Sequence, residues 1–298
     1  MLLVTYRRGH RLEAHVGALR PADGAVLDLA AADPALAGGN MPALIAGGEA
    51  MLRHARAAAA KAPVVPDAVL CAPIPRPAKN IFCVGKNYHE HAKEFAGSGF
   101  DATAKEVVPE APVVFSKPPT SVIGPGEPIP AHLDPTGSVD YEGELAVVIG
   151  RGGRGIRKAD ALSHVFGYTI VNDVTARTLQ HRHRQWILGK GIDGFCPMGP
   201  AILTADEVPD PGALRLTTWV NGEQRQDAPV ADLIFDIPTL IEAISAGITL
   251  EPGDIIATGT PAGVGIGFTP PRFLQPGDVV RIQVSGIGVL ENPVGGAA

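Results

Sequence analysis

From residue 81 onward, the sequence consists of short apolar segments separated by turns rich in glycine and proline. The clearest segments span residues 81–84, 113–116, 141–149, 165–172, 214–220, 254–258 and 278–284. Short runs bounded by turn residues are typical of strands, whereas a helical bundle needs longer runs with helical periodicity. One helix is indicated from residue 238 to 246, with Asp236 near its start and Gly247 at its end. We therefore expect a β-rich α+β fold for residues 81–298.

Two turns within this region have nearly the same composition. Residues 251–254 are Glu-Pro-Gly-Asp and residues 275–278 are Gln-Pro-Gly-Asp, and each turn leads into an apolar run. Proline fixes its own φ, and glycine supplies the positive φ that a tight turn needs. The sequence therefore predicts positive φ at Gly253 and Gly277.

The first 70 residues have a different pattern. Strand-like runs at 2–6, 13–19 and 25–28 precede an alanine-rich helical stretch from 43 to 61. Three prolines within residues 73–77 then disfavour regular structure. We expect a small N-terminal α/β domain (1–70), a proline-rich linker (71–80) and a catalytic domain (81–298). The N-terminal part holds few candidate catalytic groups, so packing, a lid or an oligomer contact is its expected role.

Charge and cysteine content exclude several classes of protein. The net charge is −6 with both signs mixed along the chain, so we expect no nucleic-acid partner. The densest basic run, residues 181–184, is interpreted as a solvated polar face, with an anionic substrate or a partner subunit as the alternative. Three scattered cysteines provide no disulfide framework. Charges follow the first six residues, which predicts neither a signal peptide nor a membrane span, and we expect a cytoplasmic protein.

The first group with chemical potential is a pair of glutamates. Glu142 and Glu144 lie at the start of an apolar strand that runs to Gly150. Residues two apart on a strand point to the same face, so the two carboxylates project together and repel unless a cation or a shared proton neutralises them. A hard divalent ion would satisfy such a pair. Two glutamates on a wet strand face are the more common outcome for this motif alone.

A third carboxylate strengthens the metal hypothesis. Asp173 ends the apolar segment 165–173 and precedes a polar, helix-like stretch from 174 to 187. Side chains at strand ends often form sites, although Asp173 could equally be the N-cap of the following helix. Two glutamates and one aspartate suit Mg²⁺ or Mn²⁺, and no cluster of histidine and cysteine indicates structural zinc.

A histidine and a glutamate provide a candidate base. His91 and Glu94 are three residues apart, so on a helix they share one face. The carboxylate would orient the imidazole and raise its basicity, which makes a general base for water. A surface ion pair is the ordinary alternative, and His89 competes for the role but has no acidic residue three positions later.

Two further segments contain candidate substrate contacts. Lys190 lies between two glycines in an apolar stretch and could stabilise an oxyanion or an enolate, with an exposed lysine as the alternative. The glycine-rich loop 257–267 lacks the ending of a phosphate-binding loop, so we reject a nucleotide site. Its backbone N–H groups and the Thr260 hydroxyl could receive a substrate carboxylate.

In combination, these segments resemble the fumarylacetoacetate hydrolase superfamily. The resemblance runs in order through residues ~81–294 and includes GKNYHEHAKE, VDYEGELAVVIG, GYTIVNDVTART, LGKGIDGFCPMGP and LEPGDIIATGTPAGVG. The fragments are individually unspecific, but their ordered set is very specific. The segment before residue 81 also resembles the small domain that precedes the core in many bacterial members.

The resemblance implies a mixed β-sheet roll, usually in a homodimer, with Mg²⁺ or Mn²⁺ at its mouth. It places the metal carboxylates at Glu142, Glu144 and Asp173, the His–Glu dyad at His91 and Glu94, the active-site lysine at Lys190, and the substrate contacts at Gln180, Gly259 and Thr260. Residues 84–88 lack the extra carboxylate of fumarylacetoacetate hydrolase proper, while Thr178 and Gly191 replace an acidic residue and a serine. The family's own substrate is therefore not expected here.

Three functions follow from this resemblance. The first is hydrolysis of the carbon–carbon bond of an acylpyruvate, a small 2-oxo acid, through a pyruvate enolate. The second uses the same electron sink for oxaloacetate decarboxylation or for isomerisation of a 2-oxo-enoic diacid. The third is a non-catalytic metal-binding homologue. The polar, glycine-containing stretch 95–110 is expected to be a mobile lid.

Overall fold

The structure is a computed structural model that describes residues 1–100 and 107–296. Its strands are β1 (Leu2–Arg8), β2 (His15–Leu19), β3 (Val26–Asp28), β4 (Ala68–Leu70), β5 (Ile81–Gly85), β6 (Val113–Lys117), β7 (Val122–Ile123), β8 (Ile129–Pro130), β9 (Val139–Asp140), β10 (Gly143–Ile149), β11 (Val165–Asn172), β12 (Thr175–Ala176), β13 (Cys196–Thr204), β14 (Arg215–Val220), β15 (Glu223–Pro229), β16 (Ile255–Ala257), β17 (Val279–Val284) and β18 (Gly288–Gly295). Its α-helices are α1 (Leu29–Ala32), α2 (Met41–Ala46), α3 (Gly48–Ala59), α4 (His89–Gly97), α5 (Arg177–His183), α6 (Ile187–Lys190) and α7 (Ile237–Ser245). The expected β-rich α+β class is confirmed.

A large mixed sheet forms the centre of the fold. Its 11 strands follow the order β3-β2-β1-β13-β11-β10-β16-β5-β6, with β4 paired to β1 and β7 to β13. A second sheet of 5 strands has the order β15-β14-β17-β18-β8, and β9 and β12 form a separate pair. Strands β10 and β11 are antiparallel neighbours, which brings the start of β10 next to the end of β11. This pairing places the candidate metal ligands together.

The two faces of β10 belong to two different hydrophobic cores. Leu145 and Val147 pack into the core that contains α7 and the inner face of the second sheet. Ala146 and Val148 pack into the other core, together with Leu44 and other residues of the N-terminal helices. Because β10 is covered on both sides, its apolar run is continuous rather than alternating, as expected for a central strand. Such a strand provides a rigid support for the residues at its end.

The N-terminal strands join the large sheet directly. Leu2 and Leu3 of β1 pair with Leu203 and Ile202 of β13. The expected helical stretch from 43 to 61 is two helices, because Gly48 adopts a left-handed φ of 55° between α2 and α3. The division into a domain of residues 1–70, a linker and a domain of residues 81–298 stays a prediction.

Several local predictions are confirmed. Gly253 and Gly277 have φ values of 90° and 94°, as the two Pro-Gly turns require. The predicted helix at 238–246 is α7, which Asp236 caps by accepting a hydrogen bond from Thr239 N. None of the described helices is long and apolar enough to cross a membrane. The predicted lid, residues 95–110, includes positions outside the described residues.

Candidate metal centre and active site

Glu142 and Asp173 lie side by side at one end of the large sheet. Asp173 follows β11, and its backbone N–H donates to the carbonyl oxygen of Glu142 at 2.8 Å. The Glu142 N–H in turn donates to the side-chain Oδ1 of Asn172 at 3.0 Å. Backbone hydrogen bonds therefore fix the spacing of the two carboxylates before any ligand arrives.

The three predicted metal ligands converge. Oxygen atoms of Glu142, Glu144 and Asp173 all lie within 4.8 Å of one another. The three side chains are almost completely buried, with exposed fractions of 5%, 1% and 0%. The alternative of two glutamates on a wet strand face is therefore wrong. Asp173 as a helix N-cap is also wrong, because Ala176 occupies that position of α5.

The stretch after Asp173 is only partly the predicted helix. Thr175 and Ala176 form the short strand β12, which pairs with β9 through Asp140 and Val139. Helix α5 starts only at Arg177 and ends at His183, and α6 follows separately. The polar sequence predicted a helix, but pairing with β9 takes precedence for its first residues. The basic run 181–184 is exposed on α5, as expected.

Electrostatics indicate that the acidic cluster needs a cation. Burial raises the pKa of Glu144 well above its usual value, and the charges of Asp173 and Glu142 add to the effect. Burial acts in the same direction on Glu142, but Lys190, Arg177 and other neighbours outweigh it and lower its pKa to about 2. The cluster therefore cannot hold all its carboxylates ionised without further positive charge. Three buried carboxylates fit a hard divalent ion, which would supply that charge.

Lys190 reaches the same cluster from α6. Its ammonium Nζ lies 2.7 Å from Asp173 Oδ2, 3.0 Å from Glu142 Oε2 and 2.8 Å from the hydroxyl of Thr175. Burial alone would lower the pKa of Lys190, but the charges of Asp173 and Glu142 outweigh it and raise the pKa. With an exposed fraction of 2%, Lys190 is not the surface lysine of the alternative interpretation.

Arg177 lies at the acidic cluster although its sequence context did not indicate it. Its guanidinium is buried, with Nη1 2.7 Å from Glu142 Oε1 and Nε donating to Asp140 Oδ2 at 2.9 Å. Its Nη2 is also buried and has no hydrogen-bond partner among the described residues. The position four residues after Asp173 was an available signal, but the polar surroundings favoured an exposed residue.

The candidate base has the expected geometry. His91 and Glu94 lie on α4, and His91 Nδ1 is 3.1 Å from Glu94 Oε2. Glu94 Oε1 accepts a hydrogen bond from Gly263 N at 3.0 Å, so the carboxylate is held at both oxygens. His91 is 4% exposed, which excludes the alternative of a surface ion pair. With Nδ1 oriented by the carboxylate, Nε2 is the nitrogen left for chemistry.

The predicted substrate contacts lie around the same centre. The Gln180 amide oxygen accepts from Arg177 Nη1 at 3.2 Å, and the Thr260 hydroxyl accepts from Gln226 Nε2 at 2.7 Å. The Gly259 N–H donates to Glu144 Oε2 at 2.9 Å, so this backbone group orients a metal-ligand candidate. Direct contact of Gly259 with a substrate stays a prediction.

A small cavity connects these groups. It is lined by residues of the metal cluster, the base and the loop, including Glu142, His91, Lys190, Arg177, Gln180 and Thr260. Phe95 and Trp186 form an aromatic wall, with ring centroids 6.1 Å apart. Lys86 also lines the cavity, with its Nζ 5.4 Å from the Phe95 ring centroid. The basic groups of this lining suit a ligand with an acidic group.

Comparisons with known proteins support the resemblance. The model of the fumarylacetoacetate (FAA) hydrolase C-terminal family matches residues 80–295. The chain is 50% identical over 268 residues to the oxaloacetate tautomerase YisK of Bacillus subtilis, covering 86% of this chain and 87% of that protein. It is 42% identical over 300 residues to the mitochondrial oxaloacetate tautomerase FAHD2A of Homo sapiens, covering 99% of this chain and 91% of that protein.

A solved structure shares the same fold. Maleylpyruvate hydrolase from Sphingobium sp. SYK-6, in complex with manganese(II) ion and pyruvate, aligns with a TM-score of 0.79 and 33% sequence identity. The alignment covers 100% of both chains. These relatives are enzymes, and the buried acidic triad of this chain could hold a divalent metal as well. The chain belongs to the fumarylacetoacetate hydrolase family.

Proposed function

We propose that this enzyme interconverts the keto and enol forms of oxaloacetate, with Mg²⁺ or Mn²⁺ bound by Glu142, Glu144 and Asp173. One observation carries the proposal: the chain is 50% identical to an oxaloacetate tautomerase over 86% of its own length. The second tautomerase relative covers 99% of the chain. The acylpyruvate hydrolysis that the sequence predicts first therefore becomes the second candidate.

Donor groups in the cavity wall support a substrate that carries a carboxylate. Arg177, Lys190 and Lys86 line the cavity, whereas Glu142 is its one acidic lining residue among those described. Arg177 Nη2 is buried without a hydrogen-bond partner among the described residues and could donate to a substrate carboxylate. Arginine binds carboxylates strongly because its N–H groups are charged and fixed in direction. We infer that Arg177 and Gln180 orient the substrate together.

Proton transfer is assigned to His91. With Glu94 holding Nδ1, His91 Nε2 removes a proton from C3 of the keto acid, and the electron pair moves to the oxygen on C2. The Lys190 ammonium stabilises the negative charge on this oxygen, and the His91 imidazolium formed in the first step returns its proton to the oxygen, which completes the enol. A divalent ion held by the acidic triad would supply positive charge that stabilises the enolate. The reverse sequence returns the keto form, so atoms and charge balance.

Hydrolysis of an acylpyruvate is the second candidate, and the fixed geometry of the His91–Glu94 pair favours it. An imidazole fixed by Glu94, which is itself fixed by Gly263 N, is also suited to deprotonate water. The similarity to maleylpyruvate hydrolase points in the same direction. Decarboxylation of oxaloacetate would use the same enolate and needs no water attack.

Two assays of the purified enzyme with Mn²⁺ or Mg²⁺ distinguish these functions. Loss of the ultraviolet absorbance of enol-oxaloacetate measures tautomerisation, and coupled lactate dehydrogenase measures pyruvate release from oxaloacetate or acetylpyruvate. The proposal predicts rapid enol loss without pyruvate release. Pyruvate from acetylpyruvate would support hydrolysis, and pyruvate from oxaloacetate would support decarboxylation. Bound Mn²⁺ without any turnover would indicate a non-catalytic homologue.

A further inference from the structure

Lys117 is a buried lysine that the reaction described above does not use. It ends β6, and its exposed fraction is 0%. Its Nζ lies 2.8 Å from Asp173 Oδ1 and donates to the carbonyl oxygens of Val174 at 2.9 Å and Phe195 at 2.8 Å. It also donates to the carbonyl oxygen of Lys190. One ammonium group therefore joins β6 to three other segments behind the acidic cluster.

Burial of a lysine is energetically costly unless acceptors pair with its ammonium group. Moving an ammonium group out of water is unfavourable by several kcal/mol, and pairing offsets this only with good geometry. Here three carbonyl oxygens accept the three hydrogen bonds of Nζ, and the ammonium charge lies 2.8 Å from Asp173 Oδ1, which accepts no hydrogen bond among the described residues. Lys117 does not line the described cavity, so it does not reach a substrate there. Its effect must pass through the groups that it holds.

Two of those groups belong to the site. Asp173 Oδ1 lies on Lys117, while Oδ2 lies 2.7 Å from Lys190 Nζ. The two oxygens of the Asp173 carboxylate therefore lie against two different ammonium groups, and Lys117 also holds the backbone just after Asp173 through the carbonyl of Val174. By holding the carbonyl of Lys190, it also fixes the backbone at the end of α6 that carries the Lys190 ammonium.

The formal charge of the site also depends on Lys117. The acidic triad and the groups linked to it by ion pairs comprise the carboxylates of Asp140, Glu142, Glu144 and Asp173 and the cations of Arg177, Lys190 and Lys117. Lys117 brings the formal charge of the set from −2 to −1, counted from these 4 acids and 3 bases. A divalent ion then finds one excess negative charge together with three ligands already oriented.

We propose that Lys117 is a positioning residue, which sets Asp173 as a one-oxygen metal ligand and aligns it with Lys190. The expected effect on metal binding depends only on the acidic cluster. The expected effect on turnover rests on the proposed function. Lys117→Met keeps most of the side-chain volume and removes the charge. Lys79 offers a matched control, because its Nζ also lies 2.8 Å from an aspartate, Asp254, and donates to the carbonyl of Thr249.

The test compares wild type, Lys117→Met and Lys79→Met by three measurements. These are Mn²⁺ affinity by isothermal titration calorimetry, the visible absorption of the Co²⁺-loaded protein, and kcat for enol-oxaloacetate. For Lys117→Met we expect a shifted Co²⁺ spectrum, because Asp173 can turn and bind through both oxygens. We expect at least a tenfold lower kcat with KM changed less than threefold. The Co²⁺ spectrum of Lys79→Met should be the same as that of the wild type, and its kcat should stay within twofold of the wild-type value.

The Mn²⁺ affinity separates positioning from general damage. Removing a cation beside a ligand increases the attraction for a metal ion, so Lys117→Met should bind Mn²⁺ at least as tightly as wild type. A damaged site would bind it more weakly. Mn²⁺ binding weakened more than threefold, an unchanged Co²⁺ spectrum, or a kcat reduced less than tenfold would each overturn the proposal.

Failure of the proposed function and failure of the positioning role can be told apart. If wild type shows no turnover of oxaloacetate, the proposed function fails, and the Mn²⁺ and Co²⁺ data still decide the role of Lys117. If Lys117→Met does not fold, a crystal structure of the wild-type protein with Mn²⁺ decides it. The proposal expects Asp173 to bind the ion through Oδ2 alone, with Oδ1 still on Lys117. Coordination through both oxygens, or Lys117 turned away, would contradict it.

Discussion

Lys190 Nζ lies 2.7 Å from Asp173 Oδ2, so the lysine predicted to act on the substrate donates to a carboxylate predicted to bind the metal. The same ammonium contacts Glu142 Oε2 at 3.0 Å. Lys190 thus provides part of the positive charge that the cluster needs. It leaves Glu144 with one hydrogen bond, from the backbone N–H of Gly259.

This arrangement makes Glu144 the most sensitive metal ligand to test. Replacement of Glu144 by Gln keeps the side-chain size but removes one charged ligand from a triad of three. We expect Mn²⁺ affinity, measured by calorimetry, to fall at least about 100-fold. Glu251→Gln is the control, because Glu251 is an exposed partner of Lys79 and should leave Mn²⁺ binding unchanged. Equal Mn²⁺ affinities for the two variants would remove Glu144 from the metal site.

The raised pKa of Glu144 predicts how the metal-free protein responds to pH. The folded protein holds the Glu144 proton more tightly than the unfolded chain, whose carboxyl titrates near 4.5. Folding therefore takes up a proton above this pH, and the free energy of unfolding falls as pH rises through the raised pKa. Glu142, whose pKa is lowered to about 2, has the opposite effect, but only as pH falls below 4.5.

Thermal melts of EDTA-treated protein check this directly. We expect the melting temperature to decrease from about pH 5 to about pH 8 in the metal-free protein, and Mn²⁺ to restore it. Glu144→Gln has no titrating group at this position and should show a flatter profile without metal. A wild-type profile that matches the variant would mean that Glu144 is ionised in the metal-free fold.

The sequence predicted the acidic triad and the His91–Glu94 pair but not the groups that support them. The strand period and the helical spacing indicated only which side chains share a face, and the resemblance to the family supplied their expected roles. Lys117 and Arg177 do not follow, because lysine and arginine are exposed in most proteins. Their burial depends on partners distant in sequence, such as Asp173 for Lys117 and Asp140 for Arg177. Periodicity reports which residues share a face, and only the tertiary fold shows which charges meet.

Helix α4 allows a matched test of the base. His91 is buried against Glu94, whereas His89 is exposed two residues earlier on the same helix. We expect His91→Ala to lower kcat for enol-oxaloacetate by about 100-fold or more, which is the usual contribution of a positioned base. Glu94→Gln should have a smaller effect, since the imidazole stays but loses its orienting charge. His89→Ala should retain kcat within twofold. Steady-state kinetics that show equal losses for His89→Ala and His91→Ala would contradict the assignment.

Arg177 is expected to stabilise the folded protein. Arg177 bridges two buried carboxylates, those of Asp140 and Glu142, and burial tends to raise the pKa of Asp140 against the lowering effect of Arg177. Arg177→Met leaves Asp140 without its cation and Glu142 with Lys190 alone, and breaking a buried pair costs about 3–5 kcal/mol of unfolding free energy. Arg157, which is 79% exposed and pairs with Asp160, is the control.

Urea unfolding with Mn²⁺ present gives the comparison. Arg157→Met should change the free energy of unfolding by less than about 1 kcal/mol, because solvent screens an exposed pair. Arg177→Lys retains the charge but cannot contact both carboxylates with a planar fork, so we expect a loss between those of the two methionine variants. If Arg177→Met were as stable as wild type, the buried charges of Asp140 and Glu142 would have to be neutralised by protons rather than by the guanidinium. If the melting temperature of Arg177→Met were also independent of pH, neutralisation by protons would be excluded as well, because protonated carboxyl groups would ionise as the pH rises.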